Sequence, residues 1–305
     1  MTNKLELLAI NIPTYERADS FSKVILELEA ELNLLPIDHK NLVQINVFDN
    51  NSSCSDLKQS LCNQISSRSM INIHFSKNAT NIGGDNNIKK CYAYASGSLF
   101  TWVLGDDDHI GKGGVASIVS LLLENINELG LLIVLGEGYQ CNPALWNKKF
   151  GSYEEFARLA MQTHPDLLIA HALISSNIFR TRLFDADETT YVIEKLTPRE
   201  GLSANLAHMR GLIKGIFNHD DKYSVLMPSS VYFRASARQP GEINLHDEIP
   251  KIFYFYFLWL LIELGIRVDE VPYHKRLWWL YGPKEARGLK RWFRSPLVPK
   301  RKPSS

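Results

Sequence analysis

Over its first 136 residues the chain repeats one pattern: a short apolar run, a polar break, then helical periodicity or a glycine turn. The runs are LELLAINIP (5–13), LVQINVFD (42–49), INIHFS (71–76), LFTWVLG (99–105) and GLLIVLG (130–136). Runs this short and this apolar read as strands buried on both faces. Between the first two, Phe21, Val24, Ile25, Leu28, Leu32 and Leu35 fall at helical spacing, with Asp19 or Ser20 placed to cap the helix. After the Gly/Asn loop NATNIGGDNN, Ile88, Cys91, Tyr92 and Ala95 mark a further short helix. Strands separated by helices define an α/β fold, a mostly parallel central sheet flanked by helices.

In such sheets ligands gather beyond the carboxyl ends of the strands. The polar clusters fall there: Pro13-Thr14-Tyr15 after the first run, Asp49-Asn50-Asn51 after the second, Asp106-Asp107-Asp108 after the fourth. Any one of these loops alone reads as a solvated turn. Three loops distant in sequence, meeting at one sheet edge, do not. Adjacent carboxylates push one another toward protonation unless a cation joins them. A hard divalent ion, Mg²⁺ or Mn²⁺, takes oxygen ligands, commonly one or two carboxylates plus substrate phosphate. Lys112-Gly113-Gly114 lacks the spacing of a phosphate-binding P-loop.

The second half is less regular. Residues 152–180 read as helices feeding a polar turn, 204–217 as a helix, and 223–235 as one or two strands. IFYFYFLWLLIELGI (252–266) is an apolar helix stopped at Gly265, followed by a short strand, IRVDEVPY. That helix is shorter than the roughly 20 residues a bilayer needs, and Glu263 interrupts it. The four cysteines, Cys54, Cys62, Cys91 and Cys141, form no CxxC pair, the pattern of thiols packed as small core residues in a reducing compartment. No apolar signal-peptide core follows Met1, so the sequons at Asn51 and Asn78 carry no expected glycan.

The net charge of +1 hides an asymmetry. Residues 272–305 hold ten Lys and Arg against one Glu, a net of +9, so the preceding 271 residues carry −8. Trp292, Phe293 and Leu297 interleave with the basic residues, and LWWLY (277–281) adds aromatics. Basic residues mixed with aromatics fit an anionic membrane surface. A plain solvated tail is the alternative. Nucleic acid as partner is disfavoured by the acidic body.

Four segments carry a resemblance: IPTYERADSF (12–21), VFDNNSSCSD (47–56), NIGGDNNIKKCYAYASGSLFTWVLGDDD (81–108) and SSNIFR (175–180). In this order they resemble the family 2 glycosyltransferases of GT-A fold, similar to the bacterial abequosyltransferase-like enzymes of O-antigen and capsule assembly. The resemblance covers residues 5–180. It implies a GT-A, Rossmann-like fold with a nucleotide-sugar-binding half (1–140), an acceptor-binding half (141–271) and a membrane-associating tail (272–305). It implies donor contacts from Pro13, Thr14, Tyr15, Arg17, Asp49, Asn81, Gly84, Asn87, Asp106 and Asp107. Asp106, Asp107 and Asp108 together are the expected ligands of Mg²⁺ or Mn²⁺, without individual assignment. The implied reaction is an inverting transfer from a nucleotide-diphosphate sugar to a lipid-linked saccharide. The implied place is the cytoplasmic face of the bacterial membrane, with residues 275–302 on anionic lipid and no nucleic acid partner. Asp247 and Glu248 stand where the family supplies its catalytic base, with Asp220-Asp221 and His208 as rivals.

Two departures stand out. No arginine follows Asn81-Ile82-Gly83, where many members place one to pair the diphosphate, and Gly105 fills a place that is often acidic. Two other readings remain: a metal-dependent nucleotidyltransferase, and a non-catalytic scaffold that binds sugar or membrane. The first usually carries a basic glycine-rich loop after the first strand, where this chain has PTYER.

Overall fold

A computed structural model describes residues 6–94, 97–136, 145–163, 174–196, 207–219, 223–229 and 231–234. Strands β1 (Leu8–Thr14), β2 (Val43–Asp49), β3 (Asn72–Lys77) and β4 (Phe100–Val103) pair in parallel, in the order β3-β2-β1-β4. The apolar residues of β1, β2 and β4 leave water almost completely, with Leu8, Ile10, Ile12, Ile45, Phe100 and Trp102 fully buried. β3 is an edge strand, so its Ile73 and Phe75 are only half-buried and the expected burial on both faces fails there. After β5 (His109–Ile110), the strands are β6 (Leu129–Ile133), β7 (Leu135–Gly136), β8 (Lys148–Phe150), β9 (Asn177–Arg180), β10 (Ser224–Met227) and β11 (Val231–Arg234). The central sheet continues past β4 through β9, β6, β10 and β8 to eight strands. Only β9 and β8 run against the rest, so the expected mostly parallel sheet is what forms.

The segment SSNIFR departs from expectation. Ile174–Ser176 makes a 3₁₀ turn, and Asn177–Arg180 is not a turn but β9, an antiparallel strand at the centre of the sheet. Ile178 and Phe179 are fully buried there, between β4 and β6. Four residues are too few to display a strand period; the slot between two neighbours defines this one. The run 130–136 also divides. At Val134, whose amide donates to Ser176 O at 2.9 Å, the chain leaves β6 and enters β7 of a second, three-stranded sheet, β5-β11-β7.

Helix α1 (Ala18–Asn33) buries Phe21, Val24, Ile25, Leu28 and Leu32, as their spacing requires, and Leu35 is buried just past its end. It begins earlier than the expected cap. Arg17 takes the N-cap position in left-handed backbone, φ 39°, with no side-chain cap, and Asp19 lies in the first turn, where its charge complements the helix dipole. The same helix organises the carboxylate loop. Glu31 accepts from the amides of Gly113 (2.8 Å) and Val115 (3.3 Å), at the start of α5 (Gly114–Glu124). Glu27 accepts from the Ile110 amide (3.0 Å) and pairs with His109 Nδ1 (2.8 Å).

After the short helix α2 (Ile37–Lys40), α3 (Ser55–Ser69) joins α1 and α5 in one apolar cluster against the sheet. Helices α4 (Gly84–Ala93), Tyr153–Thr163 and Ala207–Asn218 contribute to the other. Cys62 and Cys91 are buried in these cores; burial pushes the Cys62 thiol up to about 12 and raises Cys91 well above its ordinary value. Among the described residues no helix is long and apolar enough to cross a membrane. The expected helix at 252–266, the strand after it and the basic tail lie outside the described residues, as do Cys141, Asp220-Asp221, Asp247 and Glu248.

Candidate active site

β1 and β2 end together, Thr14 beside Asp49. β4 pairs with β1 only as far as Val103 beside Asn11, so the chain beyond it reaches the same sheet edge as Thr14. Asp106 is 1% exposed and accepts from Thr14 Oγ1 at 2.6 Å. Arg17 then bridges two carboxylates: Nη2 to Asp106 Oδ1 at 2.9 Å, and Nη1 to Asp107 Oδ2 at 2.6 Å. Burial pushes the Asp106 carboxyl up to about 6; the Arg17 charge and the Thr14 bond pull against it.

Arg17 reaches this position through two successive left-handed residues, Glu16 (φ 53°) and Arg17 itself. Hydrogen bonds hold the turn. The Glu16 amide donates to Ser52 Oγ (2.8 Å), and the Glu16 carboxylate accepts from the amide (3.0 Å) and hydroxyl (2.7 Å) of Ser53. Those two bonds hold the Glu16 carboxyl below its ordinary value.

Sequence reasoning missed Lys58. It lies in the first turn of α3, 1% exposed, and its ammonium donates to Thr14 Oγ1 (2.8 Å), Ser52 Oγ (3.0 Å) and Asp49 Oδ1 (3.2 Å). Asp49 is fully buried and also accepts from the Ser52 amide (2.8 Å) and hydroxyl (2.5 Å). Burial alone would raise its carboxyl; the Ser52 bonds and Lys58 outweigh that and hold it below its ordinary value. Thr14 therefore accepts from Lys58 and donates to Asp106. The result is a line of alternating charge across three strand ends: Asp49, Lys58, Asp106, Arg17, Asp107. No local signal marks Lys58, because most of its neighbours on α3 are polar and any of those positions could face water.

The remaining expected donor residues gather beside this line. Asn50 Nδ2 donates to Asn81 Oδ1 (2.8 Å), and Asn50 Oδ1 accepts from the Ile82 amide (2.9 Å) and Asn78 Nδ2 (3.1 Å). Asn78 Nδ2 also donates to Asn87 Oδ1 (3.1 Å), and Asn87 Nδ2 to Phe48 O (2.9 Å). This amide cluster fixes the turn at Gly83, φ +83°, and the start of α4 at Gly84. Asn81, Gly84 and Tyr15 are exposed, Pro13 is half-buried, and Asn87 is buried.

Asp108 takes a different partner, the Ser175 hydroxyl at the turn before β9. Ser175 Oγ in turn accepts from the Gly105 amide at 2.9 Å. A Cβ on Gly105 would lie 2.7 Å from Asp108 Oδ2 and 3.2 Å from Asp107 Oδ1, so the residue before the carboxylates is kept bare by their return over it. The three aspartates thus divide between Arg17 and Ser175. Among the described residues, no three His, Cys, Asp or Glu side chains are grouped to hold a metal ion. The oxygen donors still suit Mg²⁺ or Mn²⁺, whose sites are completed by phosphate and water and need only one or two carboxylates.

Of the base candidates only His208 is described. It is buried, with its ring 5.0 Å from that of Tyr92.

No protein-family profile matches the sequence, and no curated protein matches it. Solved structures do. Residues 1–349 of TarS from S. aureus are 15% identical to the chain, with a TM-score of 0.53, over 93% of this chain and 75% of that one. The same segment in complex with UDP-GlcNAc matches at 15% identity and a TM-score of 0.53, over 93% and 76%. The mannosyltransferase PcManGT from Pyrobaculum calidifontis, in complex with GDP-Man and Mn²⁺, is 13% identical, with a TM-score of 0.52, over 97% and 78%. The chain shares the fold of these glycosyltransferases. At such identities the likeness speaks for the fold, and the site rests on its own geometry.

Proposed function

We propose that the protein is an inverting glycosyltransferase that moves a sugar from a nucleotide-diphosphate donor to a saccharide acceptor. One observation carries this reading: Asp106 and Asp107, joined by Arg17, lie beyond the carboxyl end of β4, in a fold shared with glycosyltransferases solved with UDP-GlcNAc and with GDP-Man and Mn²⁺. Of the three expected ligands, Asp106 and Asp107, which Arg17 brings together, would hold Mg²⁺ or Mn²⁺, while Asp108 is turned to Ser175. The metal when bound offsets the charge growing on a leaving diphosphate.

Within this reading residues 1–140 bind the donor and 141–271 the acceptor. Tyr15 offers an exposed ring face to the base, beside Pro13 and Thr14. Asp49 and Lys58, both buried, stiffen the floor beside Thr14, and the exposed Asn81 and Gly84 border the donor on a turn that buried Asn87 helps to hold. A carboxylate takes the proton of the attacking acceptor hydroxyl, on the side of the sugar away from the leaving group. Asp247 or Glu248 is the proposed base. The acceptor is lipid-linked, the product belongs to O-antigen or capsule assembly, and residues 275–302 rest on the anionic inner face of the cytoplasmic membrane.

The test is a thermal-shift panel of UDP, GDP, CDP and dTDP sugars, each with and without Mn²⁺. Stabilisation that requires one nucleotide and the metal together supports the reading and names the donor class. Asp107→Ala should lose that shift while melting cooperatively. A flat response to every donor would refute the donor site.

A further inference from the structure

Arg17 holds the two carboxylates that the proposed cation needs. Its guanidinium spans Asp106 Oδ1 and Asp107 Oδ2, and the Thr14 hydroxyl takes the other oxygen of Asp106. A dication added to this arrangement would leave the trio of side chains with excess positive charge around a buried carboxylate. A nucleoside diphosphate carries the opposite charge in a form that a guanidinium matches with paired hydrogen bonds. The sequence holds no arginine between Arg68 and Arg158, so neither α4 nor the carboxylate loop offers a rival guanidinium. Arg17 is free to move as Lys58 is not: its side chain is 39% exposed and that of Lys58 is 1%.

We infer that Arg17 is an exchangeable counter-cation: the donor diphosphate draws it off Asp106 and Asp107, and only then does a divalent ion gain those carboxylates. This rests on the donor-site reading above and extends it. The metal and the nucleotide become linked through one side chain. Such linkage is reciprocal: each ligand must tighten the other by the same factor.

The experiment measures Mn²⁺ affinity by the electron paramagnetic resonance of free Mn²⁺. The full chain, Arg17→Gln and Arg17→Lys are each titrated alone and with saturating UDP or GDP, and a protein-free titration of each nucleotide corrects for the Mn²⁺ that it holds in solution. In the wild type, Mn²⁺ alone should bind weakly, and the nucleotide should tighten it about tenfold, a typical coupling. Arg17→Gln should bind Mn²⁺ alone about tenfold more tightly than wild type and show correspondingly weaker coupling, the remainder coming from the direct bond between metal and diphosphate. Arg17→Lys, which keeps the charge but not the fork, should fall between. If the wild type binds Mn²⁺ with nucleotide but Arg17→Gln binds Mn²⁺ alone no better than wild type, the inference falls and the donor site stands. If the wild type binds neither Mn²⁺ nor any nucleoside diphosphate, both fall together.

Discussion

Thr14 and Asp106 are 92 residues apart in sequence and share a 2.6 Å hydrogen bond at the ends of adjacent strands. The hydroxyl that makes this bond also accepts from Lys58 Nζ at 2.8 Å. One threonine therefore connects the buried pair under the second strand to the carboxylates after the fourth.

Lys58 and Asp49 are both buried, so removing one leaves a charge without its partner. Lys58→Met should cost about 3–5 kcal/mol in urea unfolding. Adding Asp49→Asn to that variant should recover part of the loss. A Lys58→Met protein as stable as wild type would mean that the ammonium is not buried against Asp49.

Asp106 should leave its mark on the pH dependence of stability. Its carboxyl is raised to about 6 by burial, whereas in the unfolded chain it titrates near 4. The folded state therefore binds the proton more tightly. The stability this supplies is complete below the unfolded value and is lost as pH rises through about 6. With chelator present, Asp106→Asn should remove that decline, so its melting temperature should fall less than that of wild type between about pH 4 and 6. Superimposable profiles for the two proteins would refute the burial of this carboxyl.

Gly215 and Gly211 let the helix Ala207–Asn218 lie against the segment 183–189. A Cβ at Gly215 would stand 1.6 Å from Leu183 O, and one at Gly211 2.2 Å from Thr189 Oγ1. Gly215→Ala meets backbone that cannot step aside and should lose about 1–3 kcal/mol or more in chemical denaturation. An unchanged midpoint would rule out this close approach.

The basic end predicts a separable membrane activity. Deleting residues 284–305 should release the protein from anionic vesicles in a sedimentation assay, and raising the salt should do the same to the intact chain. Unchanged co-sedimentation of the shortened protein would assign the contact elsewhere.

The strand ends were legible because burial on both faces writes itself into continuous apolar runs, and the polar residues that follow LAINIP, QINVF and FTWVL mark the site edge directly. Helix α1 was legible from the spacing of its apolar positions, but its cap was not. The turn at Glu16 and Arg17 is set by bonds to Ser52 and Ser53, some 36 residues away. Arg17 was expected among the donor residues only from the resemblance, and its pairing with Asp106 and Asp107 was not legible at all.

By itself, then, the sequence determined the α/β class, the parallel strands and the placing of Thr14, Asp49 and Asp106 at one edge, because each follows from hydrophobic patterning within a short window. Only the tertiary structure decided that NIFR crosses the sheet centre against its neighbours, that Lys58 is buried between Thr14 and Asp49, and that the three aspartates divide between Arg17 and Ser175. Those arrangements depend on charge compensation and strand pairing between segments far apart in the chain. Such contacts form only when the fold brings the partners together, and no local period records them.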